Sequence, residues 1–112
     1  MKAVEFLDSS LDRLRKFPQS ARRTLGQQID RVQQGQEPDD WKPMASIGAG
    51  VREIRVRDEG GAWRAIYVAK FPEAVYVLHC FQKKTRKTAP KDIAMAVENF
   101  RELNARRARR RQ

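Results

Sequence analysis

The N-terminal third of the chain combines one short apolar segment with two stripes of apolar residues. Residues 3–7 lean apolar and predict a first strand. The two stripes follow at helical spacing, separated by Pro18 and closed by Gly35. They consist of Leu11, Leu14 and Phe17, and of Ala21, Leu25, Ile29 and Val32. This pattern predicts a strand followed by two amphipathic helices.

From residue 51 onward the apolar positions recur with a period of two. In the first strand that this predicts, Ile54 and Val56 point to one side and charged residues point to the other. Segments 62–70 and 74–81 follow after short turns. The last of them is almost wholly apolar, which is typical of a central or doubly covered strand. Three consecutive strands joined by short turns predict an antiparallel meander.

A last helix and an irregular middle segment complete the pattern. Pro90 opens this helix, and its apolar stripe contains Ile93, Ala96, Val97, Phe100 and Leu103. Residues 37–50 contain two prolines and two glycines and are predicted to form a loop. The predicted order is β-α-α-β-β-β-α, an α+β fold in which helices pack on one face of a compact antiparallel sheet. Residues 1–105 form one predicted domain, and 106–112 form a basic, solvated and mobile tail.

The composition gives the chain a strong positive charge and excludes several classes of protein. The 112 residues include 24 Lys and Arg against 14 Asp and Glu, a formal charge of +10, which favours RNA, DNA or an acidic protein as the partner. Cys80 is the single cysteine, so an intrachain disulfide is excluded and a reducing cytosol is expected. His79 and Cys80 are too few ligands for zinc, and we expect no metal or cofactor. No apolar run can span a membrane, and no signal-peptide core opens the chain; we expect a cytoplasmic protein without a membrane partner.

A set of basic residues falls where the predicted meander can gather it on one open sheet surface. The set consists of Arg55 and Arg57 on the first strand, Arg64 on the second, and Lys83 and Lys84 after the third. Glu53 is the only acidic residue near them. Guanidinium forks and compact ammonium groups suit the oxygens of a phosphodiester. The alternative interpretation is that these are the solvated charges of an ordinary exposed strand face.

Three further features of this region are candidates for chemistry. Segment 82–91 carries five basic residues, Arg86 and Lys87 among them, and no acidic one, which favours a binding surface. His79 is the candidate general base, although a histidine within an apolar strand is also typical of a hydrogen-bonded core residue. Tyr67 is a candidate for stacking on a base or for packing in the core.

The central hairpin and the third strand carry a resemblance to known proteins. Segments 51–57 (Val-Arg-Glu-Ile-Arg-Val-Arg) and 63–67 (Trp-Arg-Ala-Ile-Tyr) resemble the central hairpin of the RelE/ParE toxin superfamily. Segment 75–85, which ends in Phe-Gln-Lys-Lys-Thr and precedes Pro90 and a helix, is similar to the HigB-like, phage-related branch. Residues 39–44 are also similar, and the resemblance extends to about Leu103.

This resemblance implies the toxin of a type II toxin–antitoxin pair. RelE-like and HigB-like toxins are metal-independent endoribonucleases that cut mRNA in the ribosomal A site. The implied partners are mRNA, the ribosome with its rRNA, and an antitoxin of the helix-turn-helix, HigA-like kind. Operator DNA is implied only through the toxin–antitoxin complex.

The resemblance also implies roles for individual residues. Arg64 matches the hairpin arginine that contacts the scissile phosphate, and Arg55 and Arg57 match basic positions on the preceding strand. Lys83 falls near the basic residue after the last strand, with Lys84 beside it. Contacts with RNA are expected from Arg52, Arg86, Lys87 and Tyr67. RelE itself ends its site with a C-terminal tyrosine, and this chain has none after Tyr76.

Two other functions are compatible with the same residues. ParE-like relatives share the fold and inhibit DNA gyrase through protein contacts, without a dense phosphate-binding cluster. A phage protein that binds nucleic acid through charge alone, without catalysis, is the other alternative. The basic cluster favours the ribonuclease over the gyrase inhibitor, and the charge-dependent binding protein stays open.

Overall fold

The computed structural model describes residues 1–111 as an α+β fold with a five-stranded mixed sheet and three helices. In chain order the elements are β1 (Ala3–Phe6), α1 (Ser10–Arg15), α2 (Gln19–Gln33), β2 (Trp41–Pro43), β3 (Val51–Asp58), β4 (Gly61–Val68), β5 (Ala74–Lys83) and α3 (Pro90–Arg110). The strand order is β1-β5-β4-β3-β2, with β1 parallel to β5 and the other neighbours antiparallel. The predicted meander is therefore confirmed, within a sheet that is mixed rather than wholly antiparallel.

The helices cover both faces of the sheet, so the expectation that they share one face is wrong. Helices α1 and α2 pack their apolar stripes against Ile54, Val56 and Ala65 on one face, which we call the α2 face. Helix α3 packs Ala96 and Leu103 against the other, which we call the α3 face. Strand β5 needs apolar residues on both sides because it lies between these two layers.

Residues 37–50 contain a short strand where a loop was expected. Strand β2 pairs with β3, Trp41 opposite Ile54 and Pro43 opposite Arg52. A proline has no N–H for a sheet ladder, and it is tolerated at this position because β2 is an edge strand. The prolines and glycines of the segment therefore mark the turns and the edge position of a short strand, rather than a continuous loop.

The end of the chain is helical over most of the segment predicted as a basic tail. Helix α3 continues to Arg110, through most of the segment that was expected to be a mobile tail. Arg106 forms an ion pair with Glu5 at 3.2 Å, and Arg107 forms one with Glu73 at 2.6 Å. These contacts join the end of α3 to β1 and to the β4–β5 turn. Gln112, the last residue of that segment, lies outside the described residues.

Strand β5 extends beyond its neighbour β1. Strand β1 pairs only with Ala74–Val77, so residues 78–83 form an edge of the sheet on that side. A bulge at Leu78 shifts the register between β4 and β5, and the Asn99 side chain donates a hydrogen bond of 2.7 Å to the Leu78 carbonyl. The bulge thus anchors α3, and the free edge beyond it borders the site described next.

Candidate functional site

Five basic side chains from four strands share the α3 face at the end of the sheet that α3 leaves open. Arg55 lies directly opposite Arg64 in the β3–β4 ladder. Ala62, two residues before Arg64, pairs with both Arg57 and Lys83, so these two lie on the same face. Lys42 pairs with Glu53 and completes the group. We call Lys42, Arg55, Arg57, Arg64 and Lys83 the cationic patch.

Glu53 lies beneath the cationic patch as a fully buried acid. Its side chain is 0 % exposed, and its Oε1 lies 3.6 Å from Nε of Arg64. Neither carboxylate oxygen accepts a hydrogen bond, and Nε of Arg64 and Nε of Arg55 donate none. The Glu53 carboxylate therefore lies near several cations, but neither its own oxygens nor Nε of Arg55 and Nε of Arg64 form hydrogen bonds.

Burial and like charge shift the pKa values in this cluster. Burial raises the pKa of Glu53 above its ordinary value, against the opposing effect of Arg64 and Lys42. The pKa of Arg64 is lowered by burial and by the neighbouring Arg55 and Arg57. The pKa of Lys83 is lowered by desolvation and then by the charge of Arg64. Burial is the largest cause of each shift, and the like charge of neighbouring cations adds to it for Arg64 and Lys83.

The members of the cationic patch differ in how far they reach solvent. Arg64 is 2 % exposed, and its Nη1 donates to the carbonyls of Trp63 and Val56 at 3.1 and 3.5 Å. Arg55 and Lys83 are half-buried, and Arg57 is exposed. A ligand arriving from solvent meets Arg57, Arg55 and Lys83 before it approaches Arg64.

His79 lies on the same face but under α3, apart from the solvent-facing part of the cationic patch. It is 1 % exposed, its Nε2 lies 2.8 Å from Oδ1 of Asp92, and its ring stacks on Phe81. Burial lowers the pKa of His79, although Asp92 opposes the shift. Of its two expected roles, this geometry matches the hydrogen-bonded core residue.

Two of the expected RNA contacts lie on the opposite side of the sheet. Arg52 pairs with Glu37 at 2.9 Å, and its guanidinium lies 4.1 Å from the ring centre of Trp41. Tyr67, directly opposite Arg52 in the ladder, is 1 % exposed in the α2-face core. The structure therefore does not bring these two together with the cationic patch. The alternation that groups Arg55 with Arg57 already assigns Arg52 to the other face.

The remaining basic candidates follow β5. Lys84, Arg86 and Lys87 are exposed in the segment between β5 and α3. Cys80 lies in the core on the α2 face of the sheet. Burial raises the pKa of its thiol to about 12. The side chain therefore acts as a small apolar residue rather than a nucleophile.

A cleft of about 780 Å³ adjoins the cationic patch at the free edge of β5. One wall comes from the α1–α2 corner, with Arg13, Lys16 and Phe17, and the other comes from the start of α3. Trp63, Phe81, Lys83 and Lys84 also line it. Arg13, Lys16 and Lys42 were not predicted, because the periodic pattern of α1 indicates only its apolar stripe and the residues of β2 were expected to form a loop.

Within 1–111, no group of three His, Cys, Asp or Glu side chains is placed to hold a metal ion. None of the helices in that range is both long and apolar enough to cross a membrane.

Comparison with known proteins adds one match. The model of a family described as "Phage derived protein Gp49-like (DUF891)" matches residues 12–101. This range begins in α1, ends in α3, and includes the whole cationic patch. A search of curated proteins found no match.

Proposed function

The chain belongs to the phage-derived Gp49-like protein family, and from this membership and its cationic patch we propose that it is the toxin of a type II toxin–antitoxin pair. The proposed activity is a metal-independent endoribonuclease that cuts mRNA on the ribosome. The observation that carries the proposal is the direct pairing of Arg55 with Arg64, with Lys83 on the same face and Nε of both arginines unbonded. Both Nε atoms are buried, so a phosphate reaches the half-buried guanidinium of Arg55 before that of Arg64, and a guanidinium suits its non-bridging oxygens.

RNA supplies its own nucleophile, which limits what the protein must do. The 2′-OH attacks the adjacent phosphorus in line, the bond from phosphorus to the 5′-oxygen breaks, and a 2′,3′-cyclic phosphate and a 5′-OH end result. The protein must orient the strand, move two protons and stabilise the charge on the phosphate.

The cationic patch offers a group for each of these tasks. Arg55 and Arg64 hold the non-bridging oxygens as negative charge develops there. Lys83, whose pKa is lowered, accepts the proton of the 2′-OH in its neutral form. Lys84 or Arg57 faces the leaving 5′-oxygen, and Lys84 as an acid returns a proton to it. His79 is not assigned a step, because it is buried against Asp92.

The proposed cellular setting follows from the same assignment. The toxin acts in the cytoplasm on mRNA bound to the ribosome, and Arg86 and Lys87 contact RNA from their exposed segment. A helix-turn-helix, HigA-like antitoxin neutralises it, and operator DNA is bound only by that complex.

Replacing Arg64 tests the proposal. We expect Arg64→Ala to lower mRNA cleavage on translating ribosomes by about 10²–10³-fold, as for other removed charge-stabilising donors, and to relieve growth arrest. Because Arg64→Ala leaves Glu53 buried without its partner, Arg64→Lys and Arg55→Ala serve as variants that disturb the fold less. Arg101→Ala, an exposed change on α3, is the matched control.

The same experiment distinguishes the alternatives. Cleavage by folded Arg64→Ala, Arg64→Lys and Arg55→Ala at the rate of the parent would contradict the proposed site. Growth arrest with broken DNA and intact mRNA would indicate a gyrase inhibitor. An unaltered protein that produces neither cut mRNA nor broken DNA would be a charge-dependent binding protein.

A further inference from the structure

We propose that the cleft at the free edge of β5 is a nucleotide subsite, in which one base of the bound RNA strand stacks on Phe17 while its phosphate contacts the surrounding cations. The choice of RNA rests on the proposed function, whereas the site itself rests on the lining and charge of the cleft. The cleft lies outside the cationic patch and shares only Lys83 with it.

The size and the aromatic lining of the cleft suit a base. Its volume of about 780 Å³ lies within the range of roughly 300–1,000 Å³ that is typical of small-molecule sites. Phe17 is half-buried, and its ring centre lies 4.8 Å from that of Trp63. Stacking on such rings accepts any base, because every base has a π-face.

The charge of the cleft suits a nucleic-acid backbone. Arg13, Lys16, Lys84 and Lys91 are exposed around it, and none of them takes part in an ion pair among residues 1–111. Asp92 is the one acidic residue in the lining, and its Oδ1 is bonded to buried His79. The unpaired charge is therefore positive, and a protein partner would need to be acidic to fit.

Continuity with the cationic patch favours RNA over an acidic peptide. Lys83 belongs to both sites, so a strand whose phosphate is held by Arg55 and Lys83 passes directly into the cleft with its neighbouring nucleotide. An RNA strand carries both chemistries that the cleft offers, a flat aromatic base and a phosphate, at every residue.

The test uses a short fluorescent single-stranded RNA with 2′-O-methyl riboses, which cannot be cut by 2′-OH attack. Each base in turn is replaced by an abasic position, and binding is measured by anisotropy. In the unaltered protein we expect one position at which base removal weakens binding by about fivefold to a hundredfold. In Phe17→Leu, which keeps apolar packing, that loss should shrink to about twofold or less, and Phe17→Tyr should retain it.

A charge variant tests the rim of the cleft separately. We expect Lys16→Glu to weaken binding of every oligonucleotide in the series and to flatten the salt dependence. Lys70→Glu, the same change at an exposed lysine in the β4–β5 turn at the opposite end of the sheet, should have a smaller effect. Thermal unfolding of each variant shows that the fold is kept.

The outcomes separate this inference from the proposed function. Equal loss of affinity at every abasic position, or a position-specific loss that persists in folded Phe17→Leu, would overturn the subsite. Loss of cleavage in Arg64→Ala with no base-specific binding would overturn the subsite and leave the ribonuclease intact. Base-specific binding that depends on Phe17 in a protein that cuts no mRNA would support the subsite and end the ribonuclease proposal.

Discussion

Two buried acid–base pairs lie on the α3 face, in one row across the sheet, and they are built differently. Ile66 pairs with Glu53 on one side and with His79 on the other, so the two pairs are separated by a single strand position. His79 meets Asp92 at a hydrogen-bonding distance of 2.8 Å. Glu53 and Arg64 come no closer than 3.6 Å and leave both carboxylate oxygens and Nε without a hydrogen bond.

The difference separates a pair that fastens two elements together from a pair that is left unsatisfied among cations. The His79–Asp92 pair is covered by α3 and fastens the start of that helix to β5. The Glu53–Arg64 pair lies where α3 no longer covers the sheet, among further cations. A buried pair with unmet hydrogen-bonding groups costs free energy, and such cost is typical of functional sites.

Breaking the satisfied pair should have the largest effect on stability. Asp92→Ala leaves Nε2 of His79 buried without a partner, so we expect the free energy of unfolding in urea to fall by about 1–3 kcal/mol. Asp92→Asn keeps an acceptor and should lose less. Asp12→Ala, an exposed acid in the first turn of α1, is the matched control. Equal losses for Asp92→Ala and Asp12→Ala would mean that the pair with His79 contributes nothing.

The unsatisfied Glu53–Arg64 pair should make the stability of the fold depend on pH. Because burial raises the pKa of Glu53 in the folded chain, the folded state binds more protons than the unfolded state above the ordinary pKa of a glutamate. Stability should therefore fall as pH rises through that window and level off above the folded pKa. We expect the melting temperature of Glu53→Gln to exceed that of the parent by an amount that grows with pH across this window. A difference that is constant with pH, or that grows on acidification, would contradict the prediction.

Exposed cations that belong to neither pair should have the smallest effect. Lys87→Ala removes one solvated charge after β5, so we expect the slope of log affinity for single-stranded RNA against log salt to fall by about 0.7, with stability unchanged. Lys70→Ala, at the other end of the sheet, should leave the slope as it is. An equal change of slope in both variants would show that the segment after β5 has no special contact with RNA.

The alternation of residues predicted much of the cationic patch. A period of two over 51–57 assigns Arg55 and Arg57 to one face, and a short turn then brings Arg64 beside them. Both steps are local, because the side of a strand depends only on parity and the register of a hairpin on its turn. Arg52 and Tyr67 were expected to contact RNA. The alternation along β3 and β4 nevertheless assigns both residues to the α2 face, opposite the cationic patch.

Which elements cover each face of the sheet was not predictable from the alternation of residues. Whether His79 meets solvent depends on where Asp92 lies, and Asp92 comes from a helix that has a polar side throughout its length. The cleft likewise needs the α1–α2 corner and the start of α3 to meet across the end of β5, where β1 no longer pairs. The periodicity of the sequence carries no information about such contacts between distant segments.

By itself the sequence determined the meander, the positive charge and the face to which the alternating residues of β3 and β4 belong, because these depend on neighbours along the chain. Only the tertiary structure decided which face α3 covers, which acid is left unsatisfied, and where a cleft opens beside the cations. Those features depend on packing between segments far apart in sequence. Burial, which sets the cost of each charge, exists only once that packing is complete.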